Sequence, residues 1–258
     1  MKVALVTGAN RGIGLEVCRQ LSDLGYHVIL TARNAEAGQA AAARLRVEYR
    51  PLDVSDPESI ASLVEKVRER HGKLDVLVNN AGVSLKGFDY KVVKDTLAVN
   101  YFGAQAVTDA FLPLMNDRGR VVMVSSAMGE LACLGLELSE RFASDSLTRQ
   151  ELNALMNKFV EDVAFEHHLQ KGWPSSAYRV SKVGLNALVR VLDRELKEDP
   201  RDLRINAVDP GWVRTEMGGT SAPKEPFEGA DSIVWLAKKD DENSPKGAFF
   251  RERQSTKW

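Results

Sequence analysis

A set of short Val/Ile/Leu-rich runs recurs along the chain: Val3–Val6, Val28–Leu30, Val47–Leu52, Val76–Val78, Val121–Val124 and Ile205–Val208. They are mostly unbroken rather than alternating. A strand with one wet face alternates apolar and polar residues, whereas a strand covered on both faces does not. Helix-period patterns lie between them. Ile13, Val17 and Leu21 recur every fourth residue, and Ile60, Leu63, Val64, Val67 and Leu185, Leu188, Val189, Leu192 each follow i, i+3, i+4, i+7. Strands alternating with helices predict βαβ units and an α/β fold with a doubly wound parallel sheet. The rhythm runs to about residue 210 with no linker-like break, so residues 1–258 read as a single domain, although length alone would allow two.

Composition narrows the partners. Lys+Arg is 35 and Asp+Glu is 36, a net charge of −1, which argues against nucleic acid or an anionic membrane surface as the main partner. The longest apolar run is Ile233–Ala237, far short of the about 20 residues of a bilayer span. Met1–Ala9 is too short for the apolar region of a signal peptide, so a cytoplasmic protein is expected. The two cysteines, Cys18 and Cys133, form no paired motif, which speaks against disulfides or a zinc cage. Cys18 reads as core, and Cys133 as packing or pocket lining. The adjacent His167 and His168 point in different directions on a helix, and no metal site is expected. Residues 238–246 read as a solvated charged turn.

Two segments interrupt the rhythm. Residues 135–172 hold no strand pattern. Thr148-Arg149-Gln150-Glu151 has the capping-box form, and Leu152, Leu155, Met156, Phe159 and Val163 then mark one apolar helix face, so a helical insertion is predicted there. Residues 209–230, with Pro210, Pro223 and Pro226, read as a mobile substrate loop.

Thr7-Gly8-Ala9-Asn10-Arg11-Gly12-Ile13-Gly14 follows the first strand and opens the first helix. Glycines let backbone approach a pyrophosphate, and the helix start offers unpaired amides. An Asp or Glu at the end of the second strand would hold the ribose diol of NAD. That strand instead ends Leu30-Thr31-Ala32-Arg33-Asn34. Arg33, with Arg11 in the turn, supplies planar cations suited to a 2′-phosphate, which favours NADP(H). The spacing Thr-Gly-x-x-x-Gly-x-Gly resembles the short-chain dehydrogenase/reductase family, which implies a Rossmann-type fold and a nicotinamide dinucleotide.

Tyr178 and Lys182 stand at i and i+4, on one helix face. Alone, such a pair is an ordinary surface pair. Three further features sharpen it: the strand ending in Ser125-Ser126, the Asn79-Asn80-Ala81-Gly82 turn, and Asn100 in a largely apolar stretch. All match family positions, as do Asp53 and Pro210-Gly211. The resemblance implies that Tyr178 protonates a carbonyl oxygen and that Lys182 lowers the Tyr178 pKa and holds the nicotinamide ribose. It further implies that Ser126 bonds the substrate oxygen and that Asn100 holds a water in a relay to Lys182. The turn residues Gly8, Asn10, Arg11, Gly12, Ile13 and Gly14 are implied in cofactor binding. Asp53 and Val54 would flank adenine, and Asn80, Ala81 and Gly82 the adenosine ribose. Pro210, Gly211, Val213 and Thr215 would contact carboxamide and phosphates. Met128, Trp212 and Met217 are candidate substrate-pocket residues, with packing an equal reading for Trp212.

In most such enzymes the Ser stands much closer to the Tyr. Here Tyr178 follows Ser126 by 52 residues. That insertion, with Gly172-Trp173-Pro174-Ser175-Ser176-Ala177-Tyr178, Pro210-Gly211-Trp212-Val213-Arg214-Thr215 and Trp258, resembles the NADPH-dependent carbonyl reductases. It implies reduction of quinones, ketones and aldehydes as small-molecule substrates. The alternatives are a reductase of one dedicated biosynthetic ketone, or an NADP-binding sensor with vestigial catalysis. Family tetramers pair through the helix bearing Tyr and Lys, which an inserted lobe would cover, so a monomer is expected.

Overall fold

The computed structural model describes residues 1–239 and 245–258. The sheet is built from β1 (Val3–Val6), β2 (His27–Ala32), β3 (Glu48–Pro51), β4 (Leu74–Asn79), β5 (Met115–Val124), β6 (Arg204–Asp209), β7 (Phe249–Arg251) and β8 (Gln254–Thr256). Its strand order is β3-β2-β1-β4-β5-β6-β7-β8. Every neighbouring pair is parallel except the last, β7 and β8. Connecting helices are α1 (Gly12–Asp23), α2 (Ala35–Leu45), α3 (Pro57–His71), α4 (Tyr90–Leu97), α5 (Ala104–Phe111), α6 (Leu136–Ala143), α7 (Arg149–Ala164), α8 (Ala177–Glu195) and α9 (Pro226–Lys238).

The unbroken strands have the expected cause. Along β1, Leu5 joins the core beneath α3, α4, α5, α7 and α8, while Ala4 and Val6 join the core beneath α1, α2 and α9. The same division splits Val121 and Met123 from Val122 and Val124 in β5. Both faces are dry, so neither set of alternate residues can be polar without cost. Among the described residues no helix is long and apolar enough to cross a membrane.

The insertion is part of the larger core. Leu138, Phe142, Leu152, Leu155, Met156, Phe159 and Trp173 are all buried in it. The capping box forms: the Thr148 hydroxyl accepts from the Glu151 amide at 3.2 Å and the Thr148 amide donates to the Glu151 carboxylate at 2.8 Å. Where the lobe leaves and rejoins, the Gly135 amide donates to the Gly172 carbonyl at 2.7 Å. A Cβ on Gly135 would lie 2.9 Å from Gly172 Cα, so side chains there would force the two ends apart.

Two expectations change. The loop after β6 ends at Glu225, because Pro226 opens α9 rather than continuing the loop. Proline at the first helical position lacks only an amide that would be unpaired anyway, and the Glu225 amide donates to the Glu228 carboxylate at 2.8 Å to complete a cap. The loop is also braced, through a bridge between Val213 and Lys224. The charged stretch 238–246 falls partly on residues 240–244, which lie outside the described residues.

Candidate active site

The β1–α1 turn is locked to the segment after β4. The Thr7 hydroxyl accepts from the Asn80 amide at 3.0 Å and the Ala81 amide at 2.9 Å. The Asn80 side chain returns hydrogen bonds to the carbonyls of Thr7, at 2.9 Å, and Gly8, at 3.0 Å. Gly8 has φ +61°, and a Cβ there would lie 2.7 Å from Ala81 Cα. Gly12, at φ +56°, faces Thr215 of the loop, 3.2 Å from where its Cβ would be. Asn10 lies in this turn, and Ile13 packs against the α1–α9 core. The N-cap Arg11 makes no capping hydrogen bond and the first turn of α1 has no acid of its own, so the leading amides of the helix are not capped by its own side chains.

Both arginines stand at this edge. Arg33 follows β2, is 75% exposed, and has its guanidinium 3.9 Å from Asp53. Asp53 is held below the usual carboxylate range: burial pushes it up, but hydrogen bonds from the Ser55 hydroxyl and amide, then the Arg33 charge, outweigh that. Arg11 pairs with Glu216 of the loop. Val54 is buried in the larger core, near α3. In the loop, the Gly211 amide donates to Asp209 at 3.0 Å, Val213 is buried, and the Thr215 hydroxyl accepts from the Gly218 amide at 3.1 Å. Turn, arginines and loop thus lie along one edge of the sheet, with Gly12 facing Thr215 and Arg11 paired to Glu216. Their chemistry fits a phosphorylated dinucleotide: open amides, two cations and no acid at the end of β2.

Tyr178 and Lys182 project from the first turns of α8, which Ser176 caps by accepting from the Arg179 amide at 3.3 Å. The Lys182 ammonium donates to the Val124 carbonyl at 2.8 Å, at the end of β5, and lies 5.6 Å from the Tyr178 ring centroid. Ser126 opens the following turn, where its hydroxyl accepts from the Met128 amide at 3.1 Å, near enough to Tyr178 to act on its pKa. Asn100 sits in a π-helical segment, Ala98–Gly103, between α4 and α5. Such segments often mark functional sites. The Asn100 side chain accepts from the Val83 amide at 2.8 Å and donates to the Val83 carbonyl at 2.9 Å and to the Ser181 hydroxyl at 3.0 Å. That accounts for the buried amide: it splices the Asn80–Gly82 turn onto α8, beside Gly82 and Lys182.

Electrostatics depart from expectation at one point. Burial raises the Tyr178 pKa above its ordinary value; the Ser126 hydrogen bond lowers it and Asp209 raises it further. The expected depression by Lys182 is absent, because the ammonium addresses the Val124 carbonyl and the ring rather than the phenol oxygen. Burial pushes Lys182 down to about 8, with Asp209 opposing. Asp209 was not anticipated from sequence; its signal is a carboxylate at the end of β6, directly before Pro210-Gly211. Met128, Trp212 and Met217 are exposed, and the Trp212 indole donates to the Gly218 carbonyl at 2.8 Å, folding it onto its own loop.

Other candidates sort differently. Cys18 is fully buried and Cys133 packs against the larger core; both thiols are free. His168 bonds Ser175 at 3.0 Å. At the far end of the sheet His27, Glu48 and His71 converge, with both imidazoles on one Glu48 oxygen at 2.7 and 3.0 Å. Sequence spacing hid this trio. Arg50, at 2.7 Å, and Arg70, at 3.5 Å, already balance Glu48, so a divalent cation there would meet two guanidinium charges.

The family described as short chain dehydrogenase matches residues 2–138, and that described as enoyl-(acyl carrier protein) reductase matches residues 155–236. The NADPH carbonyl reductase 1 of Homo sapiens is 44% identical over 271 residues, covering 99% of this chain and 98% of that protein. Among solved structures, salutaridine reductase from Papaver somniferum has a TM-score of 0.91 at 31% identity, over 97% of this chain and 99% of that one. Menthone neomenthol reductase from Mentha piperita has a TM-score of 0.84 at 31% identity, over 96% and 98% of the two chains. With the glycine turn, Ser126, Tyr178 and Lys182 meeting at one edge of such a sheet, the chain belongs to the short-chain dehydrogenase family.

Proposed function

We propose that this protein reduces ketones, aldehydes and quinones with NADPH, and that Tyr178 gives the proton. The observation that carries this reading is the meeting of Tyr178 and Lys182 on α8 with the end of β5, where the Lys182 ammonium donates to the Val124 carbonyl two residues before Ser126, at the carboxyl end of the parallel strands that also bear Arg33. That edge is where doubly wound sheets bind ligands. Gly8, Asn10, Arg11, Gly12, Ile13, Gly14, Arg33, Asp53, Val54, Asn80, Ala81, Gly82, Pro210, Gly211, Val213 and Thr215 would hold the cofactor, with Arg33 on its 2′-phosphate. Bound NADPH supplies the hydride.

The chain's own residues do the rest. Ser126 orients the carbonyl oxygen toward the phenol. Tyr178, kept protonated by burial, hands its proton to that oxygen as negative charge builds there. Lys182 lies under the ring, close to its charge switch, and Asn100 holds the Gly82 turn and α8 in register around it. The exposed apolar side chains of Met128, two residues after Ser126, and of Trp212 and Met217 on the loop after β6 favour bulky apolar carbonyl compounds. Two free thiols accord with a cytoplasmic site of action. The protein acts as a monomer, a reading supported by the packing of α6 and α7 against α8.

Loss of NADPH absorbance with menadione tests the activity. Tyr178→Phe is expected to lower kcat by about 10²–10⁴-fold with NADPH affinity nearly unchanged. An active phenylalanine variant would refute the assignment. Tight NADPH binding without turnover of any carbonyl would favour a sensor.

A further inference from the structure

The carboxyl end of β6 carries a charge that the mechanism above leaves unused. Asp209 is 5% exposed. Its position follows from register. Val208 pairs with Val124, whose carbonyl receives the Lys182 ammonium, and the Ser125 amide donates to the Val208 carbonyl at 2.8 Å. Ala207 faces the core under α8 and Val208 faces the opposite core, so the next side chain, Asp209, turns back toward α8. On β7 the same alternation holds: Phe249 faces α8, Phe250 faces away, and Arg251, in register with Asp209, faces α8 again. The Arg251 guanidinium meets one Asp209 oxygen at 3.0 Å, and the Gly211 amide donates to the other at 3.0 Å.

Arg251 begins the tip of the β7–β8 hairpin. The turn residues Glu252 and Arg253 have φ +50° and +61°, a left-handed conformation that hairpins normally fill with Asn or Gly. Side-chain contacts offset the strain. Glu252 pairs with Lys224 of the loop at 2.8 Å. Arg253 donates to Asp231 of α9 at 2.8 Å, and its amide to the Ser232 hydroxyl at 3.1 Å. Consecutive residues 251–253 therefore fasten the tip to β6, to the loop and to α9.

We propose that Asp209 is a positioning residue of the active site, the fixed counter-charge to Lys182, and that the C-terminal hairpin is the clasp that holds it there through Arg251. The ionisable groups gathered around it are Tyr178 and Lys182 from α8, Arg251 from β7, and Lys224, which lies against Gly211 and is itself paired with Glu252. A carboxylate here favours the ammonium form of Lys182 and disfavours the phenolate of Tyr178. The second effect keeps the proton on Tyr178 to higher pH, the form that reduction needs, and the first keeps Lys182 charged at the Val124 carbonyl.

The proposal rests on Tyr178 as proton donor, and the experiment separates the two. The pH profile of kcat/KM for menadione reduction by NADPH is measured for the parent, Asp209→Asn, Asp209→Asn/Arg251→Gln, Arg253→Gln and Tyr178→Phe. Asp209→Asn is expected to move the high-pH limb down by about one pH unit. The double variant leaves no unpaired buried charge and is expected to move it the same way, so it decides the matter if the single variant folds poorly. Arg253→Gln loosens the same hairpin without touching Asp209 and is expected to leave the limb in place. An inactive Tyr178→Phe together with an unmoved limb in the aspartate variants overturns the counter-charge alone. An equal shift in Arg253→Gln also overturns it, since hairpin integrity would then be the cause. An active Tyr178→Phe overturns the proton-donor reading and this inference with it.

Discussion

Replacing Arg33 with alanine tests cofactor choice at a single side chain. The guanidinium is 75% exposed and stands 3.9 Å from Asp53, an ion pair too long and too wet to contribute more than about 0–1 kcal/mol. A 2′-phosphate offers more charge and a bidentate geometry, and a charge-assisted hydrogen bond of this kind contributes about 1.5–3 kcal/mol net. Engaging it means giving up the Asp53 pair, and exposure screens the gain, so the net loss in Arg33→Ala should be about 1–2 kcal/mol. That is about 5- to 30-fold in the NADPH dissociation constant. NADH has no 2′-phosphate and should bind within about twofold of its parental affinity, so the preference ratio falls by the same factor. Isothermal titration with each cofactor reads both numbers. Equal weakening of NADPH and NADH would mean that Arg33 touches a part common to both, and the phosphate role would be refuted. Unchanged NADPH affinity would refute it as well.

Two further outcomes are expected. Phe159→Ala removes a fully buried ring whose centroid lies 5.1 Å from that of Trp173; a cost of about 3–5 kcal/mol should lower the Tm of the whole protein by roughly 10 °C in one transition, and a separate early transition in calorimetry would show that the inserted lobe is not part of the core. Sedimentation equilibrium should give the mass of a single 28.5 kDa chain, and a mass near twice that would refute the argument that α6 and α7 cover the pairing face.

What sequence made legible was whatever local pattern decides. Strands buried on both faces, the Thr148 capping box and the i, i+4 placement of Tyr178 and Lys182 each depend on neighbours a few residues away, and each has its expected form. The misses came from elements too short for a period, or from partners distant in sequence. Phe249–Arg251 and Gln254–Thr256 offer three residues apiece, and only the open edge of β6 makes strands of them. Pro226 carries the same residue type whether it ends a loop or starts a helix, and the Glu225–Glu228 cap decides between them.

The Tyr178 electrostatics show the limit most sharply. The Y-x-x-x-K spacing fixes which helix face the lysine shares with the tyrosine, and no more. A four-carbon stem can carry the ammonium to any acceptor within its reach, and the buried acceptor at hand is the carbonyl of Val124, contributed by a strand 58 residues upstream. Once that bond is made, the charge lies against the ring, and burial rather than the lysine governs the phenol. The charges that remain to tune it come from β6 and from the last hairpin, Asp209 and Arg251. The proposed proton donor is therefore specified locally in identity and globally in strength. Changes at residue 251, distant in sequence from Tyr178 and linked to it through Asp209, should alter its pH dependence more than changes at its immediate helix neighbours.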